Sequence, residues 1–422
     1  MDKVEESGSG YEVLTEESAA RWLWRLAVAR ELMGGSGPNE WSVAEVGDGN
    51  LNLVFIVQGP HGALVVKQAL PYVRCVGEGW PLSARRAWFE WEGLSEQHRH
   101  AAGRVPTPIH YDPALFAFAM SYLSPHIILR RGVVEGREYP RAAEHLGEFL
   151  ARTLYATSVH KPLPTTHEAS AERRRQIEFF DQNHMHTITE ELFFVDPFTD
   201  CSRNRWNSPH LDDVVLELRE DEELKERAEE LKVRFLTHKE ALLHGDLHTG
   251  SVMVSPDDTR VIDPEVRFDV GLLVGNLLLG FFSQAGHADK EGQSHAGGRE
   301  AYKLWLLDTI RELWRHFVRR FTALWEADRE DSDHERREAE AAVEQVWVDT
   351  LGYAGSAMIR RIVGLAHALE LDAIEDAAVR AQCERRALAL GRELVMVSRR
   401  PQSALVTVDA LCLRAQAIDR QS

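Results

Sequence analysis

The chain has 422 residues and a formal net charge of −18 at pH 7; 44% of its residues are hydrophobic and 27% are charged. This length exceeds what one compact core usually holds, so we expect two domains with the composition of an ordinary globular protein. The excess of negative charge argues against nucleic acid or an anionic membrane surface as a partner, because phosphate groups would be repelled.

The cysteines and the apolar segments bear on the compartment. The four cysteines are far apart and form no CxxC motif, which favours free thiols in a reducing environment over a disulfide framework or a zinc site. The first residues show no basic stretch followed by an apolar one, so no signal peptide is visible. The longest apolar run, Val270–Phe282, is too short to span a bilayer and predicts a buried core helix. We therefore expect a cytoplasmic protein.

The first third of the chain has the pattern of a small β-rich domain, residues 1–123. Its apolar spacing predicts an amphipathic helix at 11–35, which ends at Gly34-Gly35, and a second helix at 81–100. Short β-type runs, two of them preceded by the turn signals GDGN and GPHG, predict strands at 42–46, 53–57, 63–68 and 117–123.

The rest of the chain, residues 124–422, has mainly helical periodicity. Apolar residues at intervals of three and four predict helices at 140–157, 217–236, 301–325, 335–351, 354–371 and 377–397. Residues 285–298 are rich in glycine, histidine and polar side chains and predict an exposed loop. The two parts together predict the α+β class, with a β-rich N-terminal domain and a larger helical C-terminal domain.

The stretch ALLHGDLHTGSVMVSPDDTRVIDPE carries most of the chemical information. Asp246 is predicted on a tight loop that a strand–turn–strand ribbon follows, and Asp263 and Glu265 come after the ribbon. Carboxylates at two sites, Asp246 at one and Asp263 with Glu265 at the other, suit phosphoryl transfer. In that reaction one carboxylate orients or deprotonates the attacking hydroxyl, and the other site holds magnesium at the nucleotide phosphates. We expect a small-molecule kinase that uses ATP and Mg²⁺, with Asp246 as the base and Asp263 and Glu265 as metal ligands.

The alternation of His244, Asp246 and His248 has another interpretation. Such an array on a strand could ligate a metal for hydrolysis. The glycine between the first two residues and the HTGS continuation favour a loop, so we expect the histidines to be structural.

Two features of the N-terminal domain are consistent with nucleotide binding. The GDGNLN turn at 47–52 contains Asn50 and could bring backbone N–H groups close to a phosphate, although such a turn is more often an ordinary hairpin. Lys67 alone could be a solvated edge residue. Its position after the glycine turn and before a helix with Glu90 matches the strand lysine of kinases, which pairs with a helix glutamate and contacts the phosphates.

Two further features stay open from the pattern alone. Arg360 and Arg361 lie within an otherwise apolar helix and are equally consistent with surface positions or with binding an anionic group. Trp80 is consistent with a core position or with a loop over the substrate.

These motifs resemble those of the 5-methylthioribose kinases, which belong to the aminoglycoside-phosphotransferase and protein-kinase-like superfamily. The resemblance covers nearly the whole chain through the sequences GDGNLNLVF, VVKQALPYVR, GEGWPLSARRA, YLSPHIILRRG, HGDLHTGS, VIDPE, FDVG and IRRIVGLAH. It implies a bilobal kinase fold, a homodimer, and transfer of the ATP γ-phosphate to the C1 hydroxyl of 5-methylthioribose in methionine salvage.

The resemblance also implies roles for individual residues. Asp246 would face the sugar hydroxyl, and Arg360 and Arg361 would reach the sugar. Contacts with ATP would come from Asn50, Lys67, Glu90, Ser121, Tyr122, Leu123, Asp263, Pro264 and Glu265, of which residues 121–123 would be the adenine-binding hinge.

The chain departs from the family pattern after Glu265. Members usually carry a longer, aromatic and glycine-bearing stretch before the equivalent of Phe268. Two alternatives follow: a kinase of another small alcohol, such as an aminoglycoside, choline or homoserine, and a pseudoenzyme weakened by the shortened loop.

Overall fold

The computed structural model describes residues 10–47, 51–74, 77–162, 166, 189–238, 240–264, 269–287, 298–397, 405 and 407–421. The chain divides into two compact units, Met1–Pro125 and His126–Ser422. Two residues with predicted roles, Asn50 and Glu265, lie outside the described residues, as does most of the predicted loop at 285–298.

The N-terminal unit contains the strands β1 (Ser42–Glu45), β2 (Asn52–Gln58), β3 (Ala63–Ala69), β4 (Tyr72–Val73), β5 (Gly77–Pro81), β6 (Pro108–Asp112) and β7 (Ala117–Ser121). Five of them form an antiparallel sheet with the order β1-β2-β3-β7-β6, and β4 pairs with β5 separately. The helices of this unit are α1 (Glu16–Arg25), α2 (Ala27–Met33) and α3 (Arg86–Ala101).

The side chains along β3 alternate between the two faces of the sheet. Leu64 and Val66 belong to one hydrophobic core with residues of α1 and α2 such as Leu23 and Met33. Because successive residues of a strand point to opposite faces, Lys67 projects from the other face, towards Glu90 of α3.

Three predictions for this unit need correction. The predicted single helix at 11–35 is two helices, because the chain is extended at Leu26 (φ −83°, ψ 120°); the second helix ends before Gly34, as expected. The strands β4, β5 and β6 were not predicted, since they are short and lack a clean apolar alternation. The helix predicted from residue 81 begins at Arg86, because Gly77–Pro81 forms the half-exposed strand that contains Trp80.

The described part of the C-terminal unit is mostly helical and also contains the strands β8 (Ile127–Ile128), β9 (Val252–Val254) and β10 (Thr259–Val261). These strands form a small sheet with the order β10-β9-β8. The α-helices are α4 (Leu129–Glu135), α5 (Ala142–Thr157), α6 (Asp212–Glu220), α7 (Glu222–Thr237), α8 (Asp269–Ser283), α9 (Gly298–Ala327), α10 (Asp333–Val363), α11 (Leu369–Asp372), α12 (Ala377–Val397) and α13 (Val408–Asp419).

The apolar helix α8 is the centre of this unit. All of its residues are buried, as the sequence predicted for Val270–Phe282. Among the described residues, Asp269–Gly286 is the one segment whose length and composition would suit a membrane span, and 89% of it is buried inside the fold. It is therefore a core helix, and the sequence-based expectation is confirmed.

The helix boundaries in this unit also correct the predictions. The predicted helix at 217–236 is two helices, α6 and α7, which meet at Asp221. The two helices predicted at 335–351 and 354–371 are one long helix, α10, followed by the short α11. The helix α13 was not predicted. The α+β class is confirmed, since a small antiparallel sheet dominates the first unit and helices dominate the second.

The long helix α10 has Gly355 at the point where it crosses α12. The two helix backbones approach so closely there that a larger side chain has no room. A Cβ atom at Gly355 would lie 2.4 Å from the carbonyl oxygen of Gly391 and 2.8 Å from the amide nitrogen of Val395. This close backbone approach fixes the end of α10, which carries Arg360 and Arg361.

We expect Gly355→Ala to lower the free energy of unfolding by about 1–3 kcal/mol, because the added methyl group must push α10 and α12 apart. Thermal unfolding followed by circular dichroism measures the effect. The control is Gly37→Ala, since a Cβ at Gly37 meets no atom within 4 Å. An equal unfolding temperature for both variants would contradict the packing argument.

Candidate functional site

Lys67 and Glu90 form a buried ion pair in the N-terminal unit. The Lys67 ammonium lies 2.5 Å from Oε1 of Glu90, and each side chain is only 9% exposed. The Asn52 amide donates to Oε2 of Glu90 at 3.4 Å, and Arg86 donates to the Asn52 amide oxygen at 2.8 Å. The predicted pairing of Lys67 with Glu90 is confirmed; their contact with ATP stays a prediction.

The predicted hinge begins at Ser121, the last residue of β7, and continues through Tyr122 and Leu123. The hydroxyl of Ser121 accepts the Thr107 N–H at 2.8 Å, and the N–H of Tyr122 donates to the Ala63 carbonyl at 3.4 Å. Tyr122 is exposed and Leu123 is half-buried. Their role at the adenine ring stays a prediction.

The loop that carries Asp246 is fixed by a buried carboxylate in the C-terminal unit. Oδ2 of Asp269 accepts the His244 N–H at 2.6 Å, and Oδ1 accepts the Gly245 N–H at 2.7 Å. Gly245 has a φ of +95°, a conformation that glycine adopts without strain. Asp269 therefore determines where the loop begins.

His244 is a structural residue of this loop. Its Nε2 lies 2.7 Å from the Ile262 carbonyl, which must accept, and its Nδ1 accepts the Asp246 N–H at 3.3 Å. Both ring nitrogens are thus used by the backbone, so His244 has no lone pair left for a metal. The alternative of a metal site at His244, Asp246 and His248 is excluded on this ground.

Asp246 lies between a histidine and an arginine. Its Oδ2 is 3.3 Å from Nε2 of His248, and its Oδ1 is 4.0 Å from a terminal nitrogen of Arg361. The Asp246 side chain is 31% exposed, whereas that of Arg361 is 6% exposed. Solvent therefore reaches the carboxylate of Asp246, whereas the guanidinium of Arg361 is buried.

The neighbouring groups keep Asp246 ionised. Burial alone would raise the pKa of Asp246, but His248, Arg361 and Arg360 together hold it well below its ordinary value. Burial and the neighbouring Arg360 lower the pKa of Arg361 to about 9, so it stays positively charged at neutral pH. Asp246 is accordingly an ionised acceptor of hydrogen bonds at neutral pH.

Arg360 is also buried, and it packs on an aromatic ring. Its guanidinium carbon lies 4.5 Å from the ring centroid of Phe193, within the range of a cation–π interaction. Phe193 belongs to a short π-helical turn, Glu190–Val195. The pattern left surface and binding positions equally open for the two arginines; the structure buries both, and their contact with a substrate stays a prediction.

Asp263 is a candidate for a phosphate-side ligand at the end of β10. It has a φ of +63°, which is uncommon for a residue other than glycine and marks a constrained position. Its side chain is half-buried, and Pro264 beside it is buried. A carboxylate donor in this position fits magnesium, which prefers oxygen ligands and keeps several waters. Its partner Glu265 lies outside the described residues.

The structure adds three residues to the site that the sequence did not single out: Asp269, Arg130 and Glu370. Arg130 lies 3.2 Å from Nδ1 of His248 and 3.6 Å from Oε2 of Glu370, whose side chain has no exposed surface. Asp269 had one usable signal, since it is a carboxylate at the start of the apolar run that became α8. For Arg130 and Glu370 the sequence offered none.

Comparisons with known proteins show the family of this chain. Residues 42–266 match the family model described as the phosphotransferase enzyme family. Methylthioribose kinase 2 of Oryza sativa subsp. japonica is 39% identical, over 99% of this chain and 99% of its own length. Methylthioribose kinase of Escherichia coli O45:K1 is 42% identical, over 93% of this chain and 95% of its own length.

The chain belongs to the methylthioribose kinase family. It is therefore also a member of the broader phosphotransferase family, and the expected protein-kinase-like fold is confirmed. The structural match to a solved glucosamine kinase covers 88% of this chain and 81% of that chain, at 13% sequence identity and with a TM-score of 0.42.

The protonation of Asp269 should make stability depend on pH. Burial, with a smaller contribution from Asp246, raises the pKa of Asp269 from 3.8 to about 7, although the two backbone N–H groups oppose the shift. Folding therefore binds a proton at Asp269 between these two values, and stability should fall as pH rises through that window.

The Asp269→Asn variant tests this titration because its amide cannot ionise. The stability of the wild type relative to the variant should decrease between about pH 4 and about pH 7, by an amount on the order of a few kcal/mol. Urea unfolding at each pH measures it, with the exposed Asp257→Asn as the control. A difference independent of pH would show that Asp269 does not titrate in this range.

Proposed function

We propose that this chain is an ATP-dependent kinase that phosphorylates the C1 hydroxyl of 5-methylthioribose. The observation that carries the proposal is Asp246, an accessible carboxylate kept ionised by buried arginines, in a chain 39–42% identical to methylthioribose kinases over nearly its full length. The reaction would be a step of methionine salvage.

Asp246 would orient the acceptor hydroxyl and receive its proton late in the reaction. A carboxylate with a strongly lowered pKa is a weak base, so it does not deprotonate an alcohol before phosphoryl transfer begins. The loose transition state of phosphoryl transfer does not require early deprotonation. A C1 hydroxyl is part of a hemiacetal and is more acidic than an ordinary alcohol, which suits a weak base.

The charges near Asp246 favour a neutral or anionic acceptor over a cationic one. Arg361, Arg360 and Arg130 contribute three positive charges, and Asp246 and Glu370 contribute two negative charges. An aminoglycoside or choline would bring further positive charge to these arginines, whereas methylthioribose is uncharged. The same cations would stabilise negative charge that develops on the phosphate product.

The residues of the N-terminal unit would act on ATP. The Lys67 ammonium, oriented by Glu90, would bind the nucleotide phosphates, and Asn50 would contribute at the glycine turn. Residues Ser121, Tyr122 and Leu123 would contact the adenine ring. Asp263, Pro264 and Glu265 would lie at the phosphate end, where Asp263 and Glu265 would hold Mg²⁺, which offsets phosphate charge when bound.

We propose a homodimer that works in the cytoplasm, with domains at 1–123 and 124–422. The composition supports this setting, since the chain is strongly acidic and Cys201, Cys383 and Cys412 are free thiols.

Asp246→Asn should lower kcat by about 10²–10⁴-fold and leave the KM for ATP nearly unchanged, because the amide cannot accept the proton of the acceptor. A coupled assay of ADP release with and without methylthioribose measures both constants. Asp257→Asn, an exposed change nearby, should keep wild-type activity. Equal kcat for Asp246→Asn and wild type would remove the assigned role.

Arg361→Gln should raise the KM for methylthioribose by roughly 10–100-fold, the effect of losing a hydrogen bond from a charged group. The matched control is Arg336→Gln, which changes an exposed arginine on the same helix that pairs with Asp333.

A panel of acceptors tests which alcohol the enzyme phosphorylates: methylthioribose, choline, homoserine and an aminoglycoside. Wild-type turnover of a cationic acceptor, with none of methylthioribose, would support the alternative acceptor class. Stabilisation by ligands without phosphoryl transfer to any acceptor would instead indicate a pseudoenzyme.

A further inference from the structure

The His248 ring has only one arrangement of its proton that fits its neighbours. Its Nδ1 lies 2.8 Å from the amide nitrogen of Gly250 and 3.2 Å from a terminal nitrogen of Arg130. A backbone N–H and a guanidinium are donors only. Nδ1 must therefore accept, and a neutral ring carries its proton on Nε2.

The protonated nitrogen faces Asp246. Nε2 of His248 is 3.3 Å from Oδ2 of Asp246, while the other carboxylate oxygen, Oδ1, lies 4.0 Å from Arg361. We infer that His248 is a positioning residue whose Nε2–H holds Oδ2 of Asp246 and leaves Oδ1 for the acceptor hydroxyl. The inference rests on the proposed function for its effect on turnover.

The ring is itself held in place by a second layer of contacts. Oε2 of Glu370 lies 3.6 Å from Nε of Arg130, and Oε1 accepts the hydroxyl of Thr249. A Cβ atom at Gly250 would lie 2.5 Å from the His248 ring and 2.9 Å from the Arg130 guanidinium. Gly250 thus gives both groups room to meet, and Glu370 orients Arg130 towards Nδ1.

The environment keeps His248 neutral at physiological pH. Burial, together with Arg361 and Arg130, lowers the pKa of His248 to about 4, against the opposing effect of Asp246. A second proton on Nδ1 would face two donors. His248 therefore serves Asp246 as a hydrogen-bond donor, and the neighbouring arginines supply the positive charge.

This arrangement would contribute to catalysis through geometry. A carboxylate free to rotate presents either oxygen to the acceptor, whereas one held at Oδ2 presents Oδ1 in a single direction. Misplacing a reacting group by about 1 Å can cost about 10²-fold in rate. The 3.3 Å separation should shorten when the acceptor binds, as catalytic hydrogen bonds commonly do.

Two substitutions of His248 separate the two ring nitrogens. The amide nitrogen of His248→Gln takes the position of Nε2 and can donate to Asp246. The amide oxygen of His248→Asn takes the position of Nδ1 and can accept the Gly250 N–H, but no atom reaches Asp246.

We expect His248→Asn to lower kcat by about 10²-fold with unchanged unfolding temperature and KM for ATP. The acid limb of its pH–rate profile should move to higher pH, because the ionised carboxylate loses a donor. His248→Gln should retain most of the wild-type kcat. Equal activity of wild type and His248→Asn would overturn the inference, and so would equal losses in both variants.

A second measurement does not depend on the acceptor. In protein labelled with ¹⁵N-histidine, the His248 signals are identified by their loss in His248→Gln, and their shifts and couplings report the tautomer. We expect a neutral ring with the proton on Nε2 at neutral pH. A charged ring, or a proton on Nδ1, would overturn the inference. Absent turnover of methylthioribose by the wild type would instead refute the proposed function, and the tautomer would still decide the geometry.

Discussion

The two hydrogen bonds that Asp269 accepts from His244 and Gly245 are the constraint on which the acceptor side of this protein depends. The carboxylate sits in the first turn of the fully buried helix α8, so it can move only if the core moves. Backbone N–H groups fixed by such a group leave the following residue, Asp246, little freedom. A buried core helix thus positions the loop that carries Asp246.

The charged side chains near Asp246 are costly to bury. Two buried arginines and a carboxylate within 4.0 Å of one of them are expensive to remove from water. They are tolerated because the rest of the C-terminal unit supplies a large apolar core. The Lys67–Glu90 pair in the N-terminal unit follows the same principle, since a polar network of Asn52 and Arg86 surrounds it. Each unit therefore gives up some stability for charges in fixed positions.

The sequence predicted those parts of the structure that local pattern determines. The helix α12 has the predicted bounds, 377–397, and the strand with Lys67 lies where it was predicted. The predicted helix with Glu90 is present, although it begins at Arg86 and not at residue 81. The ribbon after Asp246 is also present as β9 and β10. These elements are regular, so the spacing of the apolar residues along the chain carries the information.

The remaining features depend on contacts between residues distant in sequence. Arg130 meets His248 across 118 positions, and Thr249 meets Glu370 across 121 positions. No local pattern encodes such pairs. The division of the helix at 11–35 and the fusion of two predicted helices into α10 were missed for a similar reason, because tertiary packing at Leu26 and Gly355 overrides propensity.

We propose that Asp246 orients the C1 hydroxyl of methylthioribose for attack on the terminal phosphate of ATP. ³¹P NMR of the products, after incubation of the purified protein with ATP, Mg²⁺ and methylthioribose, tests it most directly. We expect ADP and a phosphate monoester whose phosphorus couples to the anomeric proton at C1. Coupling to a proton at another carbon, or release of inorganic phosphate alone, would contradict it.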